Sequence, residues 1–206
     1  YLGYRSGFGA SGQSNSNNTA VGKGALQGIT TGTYNTVMGL NAGLALLAGQ
    51  QNVCIGVGTL QTATTEQFNV AVGTNAMESV RNDASDYNVA IGLSAATGGT
   101  GAMVGCIAIG GNAMDSTGSN AQTGTIAIGH DALTALTSGA RNVAVGYQSL
   151  AAGLNAADNT CVGYQTGLQL TTASDNTFMG NQVGLATHTD AFANTCMGSG
   201  AFNGSH

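Results

Sequence analysis

One five-residue string recurs through the whole chain, and it constrains the fold more than any other feature. Asn18-Thr19-Ala20-Val21-Gly22 returns as NTVMG, NVCIG, NVAVG and NVAIG, then as CIAIG, TIAIG, NVAVG, NTCVG, NTFMG and NTCMG. The closing glycines are Gly22, Gly39, Gly56, Gly73, Gly92, Gly110, Gly129, Gly146, Gly163, Gly180 and Gly198, and Gly3 closes a truncated copy at the front. Successive spacings are 19, 17, 17, 17, 19, 18, 19, 17, 17, 17 and 18 residues. A unit this short cannot bury a core alone, so the copies must stack on one another.

With the Asn as position 0 and the Gly as position 4, each column has its own chemistry. Position 3 is apolar in every copy, and position 1 is always Thr, Val or Ile, the β-branched residues that suit a pleated strand. Position 2 is mostly small: Ala20, Val37, Cys54, Ala71, Ala90, Ala108, Ala127, Ala144, Cys161, Phe178 and Cys196. Nine of the eleven complete copies begin with Asn, which tolerates left-handed backbone, bonds nearby backbone at turns and can form a ladder between stacked copies. The Gly column marks turn backbone that needs positive φ or close approach. All charged residues lie outside the five-residue windows.

The segments after the Gly, such as Lys23-Gly24-Ala25-Leu26, Thr74-Asn75-Ala76-Met77 and Ser199-Gly200-Ala201-Phe202, read as a second, shorter strand leading into an outer turn. The turn absorbs the variation in length, since surface loops accept insertions cheaply. The expected fold class is therefore all-β: a parallel β-solenoid of about 12 rungs of 17–19 residues. Residues 1–206 form a single repeat domain on this reading, a segment of a longer fibre.

Composition removes the competing classes. The 34 Gly occur without any Pro and without a three-residue period, which excludes collagen. With 42% apolar residues and a net charge of only −5, the chain is not a disordered solvating tail. Four Lys and Arg cannot build a nucleic-acid-binding face. No apolar run approaches the about 20 residues that span a bilayer, so no membrane insertion is expected. No basic stretch followed by an apolar one opens the chain, so no signal peptide is expected in this window.

Alternate strand residues face opposite ways. Positions 1 and 3 are expected inside the coil, which leaves position 2 as an outward apolar stripe roughly 50 Å long at the usual strand spacing. A soluble monomer rarely exposes so much. Symmetry mates packing the position-2 column against one another would cover it, as a homotrimer; a dimer would cover it too. A charge in that column, as in Ala108→Asp, is then expected to separate the subunits.

The unit N-V-A-I-G at Asn88 to Gly92, with N-V-A-V-G at Asn69 and Asn142, resembles the YadA-like head repeat of trimeric autotransporter adhesins. In the N-T-A-x-G form it also resembles repeats of bacteriophage tail fibres. The resemblance covers essentially the whole chain. It implies a left-handed β-roll, three chains per fibre, intertwined or side by side, and attachment to a host cell-surface receptor or glycan. It places the protein in a virion or on a bacterial cell surface. The rung here is longer than the adhesin rung, and the family supplies no fixed binding residues to carry over.

The four cysteines do not suit an intrachain disulfide framework. Cys54 and Cys161 lie six rungs apart, roughly 29 Å at the strand spacing. Cys161 and Cys196 are two rungs apart, near 10 Å and beyond the about 7 Å limit for bridged Cα atoms. Cys106 takes the place of an Asn. Small buried thiols are expected, and they fit assembly inside a cell better than export through an oxidising compartment.

No catalytic or cofactor motif is present: there is no GxxxxGK[ST], HExxH, CxxC or GxSxG. No catalytic, cofactor or metal residue is assigned, and a non-enzymatic protein is expected. His130, His188 and His206 fall at unrelated places in the repeat. Asp158 and Asp175 each precede the Asn in consecutive rungs, at a spacing near that of a retaining glycosidase pair. Arg141 holds the same place one rung earlier, so a compensated Arg-Asp-Asp surface ladder is the better explanation. Residues 82–86, rich in Asp, read as an exposed turn in preference to a cation site, and the sequons at Asn17 and Asn203 are expected by chance. Tyr147 and Tyr164 stack in adjacent rungs, either for packing or to bind sugar. The reading carried forward is a structural and adhesive segment of a phage tail fibre. A bacterial adhesin head is the alternative, with an ice-binding solenoid or a polysaccharide depolymerase ranked below it.

Overall fold

A computed structural model describes residues 1–9, 12–81, 84–185 and 191–203. Among these there is no helix. Eleven three-residue strands, from Thr19–Val21 to Thr195–Met197, form one parallel sheet in chain order. Each strand is the centre of one five-residue unit. Register is unbroken across rungs of different length: Val70 pairs with Val89, and Val89 with Ile107. Each rung is tied on both sides, as where the Val70 N–H donates to the Asn88 carbonyl and the Gly73 N–H to the Ile55 carbonyl, both at 2.8 Å. The chain is a parallel β-solenoid.

The expected second strand after the Gly is a turn instead. Its backbone still bonds from rung to rung, as from the Leu26 N–H to the Ala42 carbonyl at 3.0 Å. Its dihedrals are not those of a strand, however. Two residues after the Gly, Asn41, Asn75, Asn112, Asp131 and Gln148 have φ of 52–59°, and four residues after it Leu26, Leu60, Met77, Leu133 and Leu150 are also left-handed. Left-handed residues at every second place break the pleat and curl the chain around the core. The position before the Asn is left-handed as well, at Tyr34, Phe68, Tyr87, Arg141, Asp158 and Asp175. A small second sheet pairs Met103–Val104 with Gln122–Thr123.

The structure reverses the expected facing of the strands. Ala20, Val37, Cys54, Ala71, Ala90, Ala108, Ala127, Ala144, Cys161 and Phe178 are all 0–1% exposed within a single chain, and Cys196 is half-buried. The position-2 column therefore lines the interior of its own coil and is not a contact between subunits. Positions 1 and 3 face outward. The reason is room: a coil of this length encloses a narrow interior, which accepts small side chains from the sheet opposite larger ones from the turn.

That complementarity can be followed rung by rung. The turn residue six places after position 2 closes over it. Leu26, Met77, Met114 and Leu150 hold that place in the rungs of Ala20, Ala71, Ala108 and Ala144, and all eight are fully buried or nearly so. At three of the five position-2 residues larger than Ala that turn residue is Gly, Val37 with Gly43, Cys161 with Gly167 and Phe178 with Gly184, whereas Cys54 keeps Leu60 and Cys196 keeps Phe202. A Cβ built on Gly184 would stand 2.6 Å from Phe178 Cε2, and one on Gly167 would stand 2.9 Å from Cys161 Sγ. The closing Gly column has a different cause. At Gly22 φ is +125°, and a Cβ would fall 2.6 Å from the Gly39 carbonyl oxygen of the next rung. No other residue fits there.

The Asn column also points inward and closes each coil. The Asn52 backbone N–H and its Nδ2 both donate to Asn35 Oδ1 at 3.0 Å. Asn35 Nδ2 in turn donates across the coil to the Gly49 carbonyl at 2.8 Å. The pattern repeats through Asn69 and Asn88, stops at Cys106 and Thr125, and resumes from Asn142 to Asn194. At the break, Gln122 Nε2 donates to the Asn120 carbonyl at 3.4 Å. Gln122 Oε1 and the Thr125 hydroxyl are buried there with no hydrogen-bond partner among the described residues.

Two stability predictions follow from these contacts, both read by urea unfolding at fixed protein concentration. Asn69→Ala leaves the Asn88 N–H and the Ser85 carbonyl buried and unpaired, and should cost about 3 kcal/mol or more; Asn194→Ala, at the half-buried end of the ladder, should cost roughly half of that or less. Phe178→Ala should cost about 3–5 kcal/mol and Gly184→Leu about 1–3 kcal/mol by overpacking. The double variant should be about 2 kcal/mol more stable than the sum of the two losses, because it restores the Ala-with-Leu arrangement of other rungs.

Candidate functional site

With positions 0, 2 and 4 inside, alternation puts four columns on the outer face of the sheet: the residue before the Asn, positions 1 and 3, and the residue after the Gly. From the second to the fifth complete rung almost every place in these columns is apolar. Tyr34, Thr36, Met38 and Leu40 form one row, and Gln51, Val53, Ile55 and Val57 the next. Phe68, Val70, Val72 and Thr74 follow, then Tyr87, Val89, Ile91 and Leu93. Tyr34 and Tyr87 are 60% exposed and Leu93 59%. Met38, Leu40, Ile55, Val57, Phe68 and Ile91 are exposed as well. The Phe68 and Tyr87 rings stack with centroids 4.8 Å apart and planes 3° from parallel.

The face continues down the sheet as an apolar stripe, through Ile126 and Ile128 to Met179 and Met197, while its borders turn polar. Eleven strands at the usual spacing and a width of six residue steps give a flat face of roughly 1,000 Å². The largest apolar patch on an ordinary monomer is a few hundred Å². Sequence reasoning found the need for cover but assigned it to the wrong side of the strand.

Charge sits at the border. Arg141 Nε and Nη2 donate to Asp158 Oδ1 and Oδ2 at 2.6 and 2.7 Å. The guanidinium holds the Asp158 carboxyl below the usual carboxylate range, and Asp158, then Asp175, push Arg141 up. The lowered carboxyl favours the folded state at neutral pH, and that small contribution is lost as the pH falls through its depressed range. General acid chemistry needs a raised carboxyl, and Asp158 is shifted the other way. Asp175 stands next in the same column.

Three aromatic rings stack at the opposite border. His130 and Tyr147 centroids lie 5.8 Å apart, and Tyr147 and Tyr164 centroids 5.5 Å apart, with planes within 18° and 10° of parallel. Their faces pack on one another. Among the described residues no group of three His, Cys, Asp or Glu could hold a metal. His188 and His206, with Asn82 and Asp83, lie outside the described residues.

The four cysteines are free thiols, with Cys54, Cys106 and Cys161 buried and Cys196 half-buried. Burial pushes Cys54 and Cys161 up to about 12 and raises Cys106 too, so none of these three is a reactive thiolate near neutral pH. No known family, curated protein or solved structure matches the chain. In the native protein Cys196 should react first with an aromatic disulfide reagent. Cys54 and Cys161 should react only at the rate of unfolding, as peptide mapping of the labelled protein would show.

Proposed function

We propose that the chain is a structural and adhesive segment of a fibre, assembled as a homotrimer through the outer face of its sheet. The observation that carries this reading is the flat, nearly uncharged face of roughly 1,000 Å², centred on the rows from Tyr34 to Leu93. Its area matches the ~800 Å² that each partner contributes to a stable interface. Val, Ile and Met fill its middle, Tyr34, Phe68 and Tyr87 line one edge beside them and charges stand only in its edge columns, a composition that suits a contact between proteins. The solenoid supplies stiffness, because every rung is bonded to both neighbours and the core runs the length of the chain.

The repeat's likeness to those of phage tail fibres and trimeric adhesins supports a role in attachment to a host cell-surface receptor. Unpaired buried thiols support assembly in a reducing compartment, and so a virion fibre over an exported adhesin head. The mechanism is mechanical: a rigid rod displays its turns, or a further segment, towards a surface. No catalysis, cofactor or nucleic acid enters it.

Light scattering at micromolar concentration should give three times the chain mass. Ile91→Asp, at the centre of the outer face, should reduce the mass to that of one folded chain. Ala108→Asp, which the first reading of the strands would have used to part the subunits, should instead prevent cooperative folding, because it places an unpaired charge inside the coil. A wild-type protein that is monomeric at this concentration overturns the trimer.

A further inference from the structure

An open groove of about 460 Å³ crosses three rungs on the turn side of the molecule, beyond the columns of the outer sheet face. Ala135, Ala151, Ala152 and Leu168 supply its apolar lining, and Asp131 and Gln148 its main polar groups. Its volume lies within the range of small-ligand sites.

The polar groups are held in place. Gln182 Nε2 donates to Gln165 Oε1 at 3.1 Å, and Gln165 Nε2 donates to Gln148 Oε1 at 2.9 Å. This file of amides leaves Gln148 with its oxygen occupied and, among the described residues, no protein partner for its Nε2 hydrogens. One rung away Asp131 accepts from Asn112 Nδ2 at 3.1 Å, and His130 Nδ1 lies 3.0 Å from its other oxygen. A fixed acceptor and an available donor thus stand about one strand spacing apart beside an apolar surface.

We infer that this groove binds a neutral linear glycan lying along the solenoid axis. The inference rests on the attachment reading and names the class of host molecule that the fibre would grip. A pyranose ring is amphipathic: its C–H face suits the Ala and Leu lining, and its hydroxyls suit a planar carboxylate and amide. A β-linked chain advances by about one strand spacing per ring, so successive rings meet successive rungs. An extended peptide would need free backbone groups to pair with. Here they are taken, as where the Ala135 N–H donates to the Ala151 carbonyl, the Ala152 N–H to the Leu168 carbonyl and the Gln148 N–H to the His130 carbonyl. Asp131 and a net charge of −5 disfavour an anionic polymer.

Isothermal titration of the full chain with cellohexaose and with chitohexaose tests the inference. At least one should bind saturably. Gln148→Ala should weaken that binding about tenfold, and Ala151→Trp, which fills the groove, should abolish it, with the circular dichroism spectrum and assembled mass unchanged. Absence of binding by both sugars overturns the inference, as does binding that survives Ala151→Trp. The fibre reading is scored separately on the same samples: a monomer that still binds sugar removes the trimer alone, and a trimer that binds neither sugar removes the groove alone.

Discussion

Closure of a narrow coil by an inward-pointing asparagine is the interaction on which the rest of the structure depends. The side chain does three things at once. Its oxygen accepts the backbone and amide protons of the Asn one rung on, and its nitrogen reaches across the interior to a carbonyl on the far wall. Each coil is thereby cinched and set at one hydrogen-bonding distance from the next. A buried amide is costly unless all its groups are satisfied, and stacking identical rungs satisfies them by repetition. At Cys106 and Thr125, where the repetition lapses, buried polar atoms lose their partners.

The other columns follow from this closure. An interior held so tight admits Ala, Cys or Gly from the sheet and one long side chain from the turn, and a Phe only where the turn yields to Gly, as Gly184 does for Phe178. The remaining bulk goes outward. A chain with a complete core therefore still carries a broad row of Val, Ile, Met and aromatic side chains on its surface. Core formation and assembly draw on opposite faces of the same three-residue strands, so a substitution in position 2 and one in position 3 should differ in kind: one acts on the fold of a single chain, the other on its association.

Much of this was legible in the repeat. Eleven copies at near-constant spacing, β-branched residues at position 1 and glycine at position 4 lead to stacked parallel strands and to a stiff rod. The Asn ladder and the Arg141–Asp158 pair were also readable, because residues at equal places in successive rungs must neighbour each other. The inward side of the strand was misread. Smallness at position 2 marks close approach across a coil, not a contact between subunits. The corrective signal was present: position 2 shares its parity with the Asn and the Gly, and its two bulkiest residues, Val37 and Phe178, are each followed six places on by Gly.

The amino-acid sequence by itself determined the period, the strand and its register, since these depend on residues that are near neighbours along the chain or at fixed multiples of the rung. Tertiary structure decided which face is core. That choice depends on the width of the enclosed space, and the width is set by left-handed backbone at Tyr87, Asn75 and Met77, residues whose side chains do not demand it. The groove over Ala135 and Ala151 likewise exists only in three dimensions: no single rung contains it, and its donor and acceptor come from rungs that the coil brings side by side.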